Sequence, residues 1–217
     1  MYRVLIVLLA FFSLAATHVV SQSVGQVGDR VVTSREVQIS AAIDRVLFPQ
    51  KEKAQSFDLK LGDPTMVNEV TAVLLEIVVH READNFSVAR VTEDQVQEAM
   101  RKVEKAMEGR ATWQSLEVSA VELKKFVAQK LSAKEFIRFK TSSMVGVISD
   151  SEALAYYEKN RLKFGELSFS GFKENVKSFL GQQQLEERTR AWFEIIKRKY
   201  KVRNILAESA NNKVGPQ

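Results

Sequence analysis

The sequence contains no cysteine. That excludes a disulfide framework, a thiol nucleophile and a thiolate metal site. Histidine is almost as scarce, with His18 and His80 the two present. Proline occurs three times, and none lies between Pro64 and Pro216. Together with only nine glycines in 217 residues, this proline-free run predicts helix over most of the chain. No Gly-rich loop offers a phosphate cradle: Gly25-Gln26-Val27-Gly28 lacks the Lys-Ser/Thr of a P-loop. No G-x-S-x-G stretch presents a serine nucleophile. The formal charge of +5 is spread through interleaved Lys/Arg and Glu/Asp, with no basic block or stripe. A nucleic-acid partner is therefore not expected.

What is present is an ordinary globular composition. Hydrophobic residues make up 45% and charged residues 27% of a 24.6 kDa chain. That suffices for one self-sufficient core, with room for a small satellite. The first residues differ in kind. Arg3 supplies a charged start, Val4 to Ala16 an apolar run, and Thr17 to Ser21 a more polar end with Val19 and Ser21 at the small-residue positions. Residues 1–21 read as a secretory signal cleaved after Ser21. The strictly apolar run is short of the ~20 residues a spanning helix needs. The mature chain is thus expected to be exported, with no stable membrane span.

Residues 22–206 read as one unit, with a first part over 22–143 and C-terminal helices with a closing strand over 149–206. VGQVGDRVVT has valine-bearing arms around Gly28-Asp29 and predicts a hairpin. Four helix starts carry a capping box: Thr33 with Glu36, Thr92 with Gln95, Ser119 with Glu122, and Ser149 with Glu152. Val32 and Val37, and Val91 and Val96, flank the first two as hydrophobic staples. Asp63-Pro64 predicts a further start, and Thr112 a short capped turn carrying Trp113. The helix after Pro64 is apolar on more than one stripe and so should be central. Residues 50–62 read as a polar exposed loop. Near the end, Lys201 to Leu206 alternates and predicts a strand, and residues 207–217 a flexible, polar tail. A lone hairpin is marginal in water. The expected fold is therefore mainly α: a helical core, with a small β-sheet formed by the N-terminal hairpin and the C-terminal strand.

Several segments resemble the SurA-like periplasmic chaperones. VGQVGDRVVTSREV is similar to that family's opening, VTEDQVQEAM to its third-helix start, and ISDSEALAYYEKNRLKF to the stretch before its prolyl-isomerase insert. FSGFKENVKSFLGQQQLEERTRAWFEIIKRKYKVRNI is similar to the segment after that insert, with its Gln-rich helix, late Trp and basic run. In the isomerase-bearing members a parvulin domain separates these last two segments. Here Gly165-Glu166-Leu167-Ser168 joins them, which leaves no room for it, and His80 is the only histidine beyond the leader. The resemblance implies a chaperone core without isomerase activity, binding unfolded envelope or outer-membrane precursors without ATP.

His80 lies four residues from both Glu76 and Asp84, a stripe that could ligate a metal but reads more simply as ion-paired helix surface. Neither a metal nor any cofactor is expected, and the chain is not expected to be an enzyme. Phe48, Phe57, Phe86 and Trp113 lie off the main stripes; each reads more simply as the cap of a core edge, and otherwise as a candidate for lining a client groove, with Met100 and Met107 fitting core or groove equally. The alternative function is a dedicated assembly partner of one folded envelope protein. Exchange of a terminal strand or helix would allow a homodimer.

Overall fold

A computed structural model describes residues 21–49, 56–86 and 91–212. Residues 1–20 lie outside them, and with them almost all of the expected signal segment. The architecture is mainly helical with one small antiparallel sheet, as the element order predicts.

The chain opens with the hairpin. Strands β1 (Ser23–Val27) and β2 (Arg30–Thr33) pair antiparallel about Gly28-Asp29, with a register shift between Ser23 and Gly25. Val24, Val27 and Val32 face inward and are fully buried. Gly25 lies tight against helix α2 (Met66–Phe86): a Cβ there would stand 3.0 Å from both Leu74 methyls. Strand β3 (Val202–Asn204) pairs with β1 on its other side, so the order is β2-β1-β3.

Helix α1 (Ser34–Leu47) begins at the Thr33–Glu36 box. The other three boxes also form, opening α3 (Glu93–Met107), α5 (Ala120–Met144) and α6 (Asp150–Lys159). In each, the cap hydroxyl accepts from a backbone amide three residues on, and that residue's side chain accepts in return. Helix α2 is the centre of the domain, packed on the sheet, α1, α5 and α8 (Phe169–Lys199).

Two core clusters result. One joins the sheet valines to Val70, Leu74 and Ile77 of α2, Phe136 of α5, and Trp192 and Ile196 of α8. The other joins Ile39 and Ile43 of α1 to Val96, Val103 and Met107 of α3 and Leu123, Phe126 and Val127 of α5. Helices α1 and α5 contribute to both and weld them together. A third, thin cluster of Ile148, Ala153 and Val176 lies between α6 and the first half of α8.

Some expectations are corrected. Helix α2 starts at Met66, because the Asp63 carboxylate is used to accept from the Lys60 amide at 2.6 Å. The short helix α4 (Ala111–Ser115) has Arg110 at its N-cap with no side-chain bond, and Thr112 lies inside it. Residues 50–55 of the expected exposed loop lie outside the described residues, but Leu59 is buried and its carbonyl accepts from Gln38. The final strand is only three residues long. Asn204 ends it by turning its side chain to the Ala207 amide at 3.0 Å, while donating to the Val67 carbonyl and the Thr71 hydroxyl. A helix, α9 (Ile205–Asn212), then occupies most of the expected flexible tail.

The junction after α6 is a closed turn. A single helical turn, α7 (Arg161–Phe164), leads into Gly165 at φ 57 and ψ −127, a region that only glycine adopts without strain. Tyr157 donates to the Leu167 carbonyl across the turn at 2.5 Å, and its ring stacks on Phe164 and Phe169.

Candidate functional site

The apolar surface that α1, α2, α3, α5 and α8 fail to bury forms a groove of three adjoining bays. The central bay, about 420 Å³, lies between α1, α2 and α5, with Phe193 of α8 at its end. Its walls are Ala41, Val73, Val79, Ala133 and Ile137. A second bay of about 260 Å³ opens between α1, α3 and α5, and Phe48 is wall to both. A third, about 490 Å³, runs along α8 past Leu185 and Arg190, and shares Leu75 and Phe193 with the central one. Each bay taken with its neighbour falls in the size range of ligand and peptide sites.

The central bay has a charged floor. Lys130 donates to Glu76 at 2.5 Å and to Asp44 at 3.3 Å, and Glu76 also accepts from Gln129 at 2.8 Å and from the Ser40 hydroxyl at 3.3 Å. Burial alone would lower the Lys130 ammonium, but the Glu76 and Asp44 carboxylates more than offset this and raise it. The lysine is therefore charged at any physiological pH. Each member has a partner, so the floor is polar yet satisfied, and the walls above it are apolar. At the rim, the Lys134 ammonium sits 3.4 Å from the centre of the Phe48 ring, and Arg45 pairs with Glu69 at 2.8 Å.

The four sequence candidates are not gathered into one site. Phe48 stands in the groove. Phe57 and Trp113 are half-buried against the second core cluster, and the Arg110 guanidinium covers the Phe57 ring at 4.3 Å. Phe86 is exposed at the end of α2 and stacks on Phe136 of the first cluster at 5.7 Å. Met100 and Met107 are buried core residues. The groove residues that sequence reading missed are Leu75, Ile137, Phe193 and the Glu76–Lys130 pair. One cue existed: Lys130 falls on the apolar stripe of α5, where a lysine must find a buried acid.

His80 does not form a ligand stripe. Glu76 turns to Lys130, and His80 Nδ1 lies 3.1 Å from Ser132 Oγ with Nε2 3.7 Å from Asp84. Ser, His and Asp are thus in line, but Ser132 is in the middle of α5, where backbone amides are committed to helix bonds and offer no oxyanion site. Among the described residues no group of three His, Asp or Glu is placed to hold a metal ion. Nor is any described helix long and apolar enough to cross a membrane.

Comparison with family models, with curated proteins and with solved structures finds no match.

Proposed function

We propose that this chain is an ATP-independent periplasmic chaperone that holds unfolded segments of envelope proteins, outer-membrane precursors among them, and has no prolyl-isomerase activity. The observation that carries the reading is the groove of adjoining apolar bays shared through Phe48, Leu75 and Phe193. Each bay is partly open to solvent, so client side chains can enter without threading. The groove's walls offer apolar contact to client side chains, and the charges of its floor are already partnered, with Lys130 set between Glu76 and Asp44, so a client need not bring a matching charge. Binding of this kind is weak per contact and exchangeable, because ordering a client costs entropy. The tight Gly165 turn supports the absence of an inserted catalytic domain between α6 and α8.

The test is suppression of aggregation of an unfolded outer-membrane β-barrel protein by residues 22–217, without ATP. Phe48→Ala is expected to weaken suppression while the fold is retained. Phe86→Ala, outside the groove, is expected to leave it unchanged. No suppression by the parent protein at several-fold molar excess would reject general chaperoning and favour a dedicated folded partner.

A further inference from the structure

The densest basic run of the chain, Lys197 to Arg203, folds against the tip of the hairpin. There Lys199, Tyr200, Lys201 and Arg203 close a cleft of about 430 Å³ with Arg81 of α2 and Gln26, Gly28 and Asp29 of the hairpin. Two of its four cations are already neutralised: Lys199 by Glu82 at 2.6 Å, and Arg203 by Glu208 at 2.6 Å. Among the described residues Arg81 and Lys201 make no ion pair, and neither does Asp29. The cleft therefore presents two unspent cations and one unspent carboxylate in a single concavity.

The backbone gives a second, independent observation. Lys201 sits just past the end of α8 at φ 51. Helices commonly end at this left-handed position with glycine, because a side chain there is strained. Glu117 shares this geometry at φ 47 away from the cleft, whereas Lys201 lines it.

We infer that this cleft binds a phosphate group carrying a hydroxyl or ammonium substituent, the chemistry of a phospholipid headgroup or of its soluble phosphate ester. An arginine fork and a lysine ammonium from two different elements match a phosphate, which spreads its charge over several acceptors. Asp29 opposes a bare anion but accepts from a substituent that brings a donor. The pocket is concave and carries a small local surplus of charge, so it suits a compact group and not a polyanion. This site is separate from the client groove and does not depend on it.

The test uses residues 22–217, which contain all three core clusters. Phosphoethanolamine, glycerol phosphate and inorganic phosphate are titrated while the amide resonances of Gly28 and Lys201 are followed. Vesicles of phosphatidylcholine with and without phosphatidylethanolamine and phosphatidylglycerol are then sedimented with the protein. Saturable shifts with the substituted phosphates, stronger than with inorganic phosphate, are expected. Vesicle binding in addition identifies the source as lipid; its absence identifies a soluble ester. Lys201→Gly and Arg81→Gln should each weaken binding roughly fivefold, the effect of one basic residue at an anionic surface. Lys201→Gly also relieves the left-handed strain, so lost binding in that variant cannot be lost folding. Asp29→Asn should erase the preference for substituted phosphates. No saturable shift with any phosphate, shifts unchanged in both cation variants, or binding to an acidic peptide but to none of the phosphates would overturn the inference.

Discussion

Lys130 and Glu76 meet at 2.5 Å beneath the apolar walls of the central bay, with 7% and 10% of their side chains exposed. They come from α5 and α2, two helices that pack directly against each other. The pair therefore fixes how those helices sit, and with them the width of the central bay. Removing one partner strands the other charge away from water. Lys130→Met is expected to cost about 3 kcal/mol in urea unfolding, and Lys130→Met with Glu76→Leu to recover most of it. A single variant that is as stable as the parent would show that the floor is wetter than its burial implies.

Arg35 on α1 reaches the start of α5, donating to Glu122 at 2.7 Å and to the Leu116 and Glu117 carbonyls. The Arg35 bond, working against partial burial, holds the Glu122 carboxyl down at about 2. A carboxyl held low in the folded state contributes stability above its ordinary value of 4.5. That contribution is lost as pH falls from there toward 2. The pair is partly exposed, so after screening it contributes about 1 kcal/mol at neutral pH. Arg35→Met should lower stability by that amount at pH 7. The gap between parent and variant should narrow toward pH 2 in acid titrations of unfolding, leaving only the part due to the Leu116 and Glu117 carbonyl bonds.

Gly165 holds a backbone angle pair that a Cβ resists, although nothing stands within 4 Å of where that Cβ would be. Gly165→Ala should therefore cost about 1–3 kcal/mol through the backbone alone. The cost should be local. Amide exchange should speed up around Tyr157 and Leu167 and stay unchanged in α2. Equal acceleration in both would mean that the arm and the core unfold together.

Lys201→Gly should stabilise the protein by about 1 kcal/mol, by removing a side chain from a left-handed position. Thermal unfolding of the variant checks this, and a lower midpoint would mean that the lysine side chain has a structural partner in the cleft.

The fold was readable where the information is local. All four capping boxes form, the Gly28-Asp29 turn forms, and the multi-stripe helix after Pro64 is the centre. The failures come where distant residues decide. Asn204 looks like one more strand residue until Val67 and Thr71 claim its side chain and end the strand. Phe179 fits the stripe of α8 but remains 52% exposed, because the first half of that helix has only the thin α6 layer to pack against. The groove was the least legible part. Its walls come from five helices, and no spacing within one of them shows which apolar residues the others leave uncovered.

The sheet also sets an order of events. Strand β1 is made near the start of the chain, but one of its two neighbours, β3, is made near the end. Trp192 and Ile196 of the first core cluster come equally late. A growing chain can complete the second cluster from α1, α3 and α5 well before this. The first cluster must wait, because its closure joins the chain's two ends and carries a large loop entropy. Until then, Leu74, Ile77 and Phe136 lack their final cover. The unfinished chain is itself an exposed apolar polypeptide, subject to the same hazard of aggregation as any other late-closing fold.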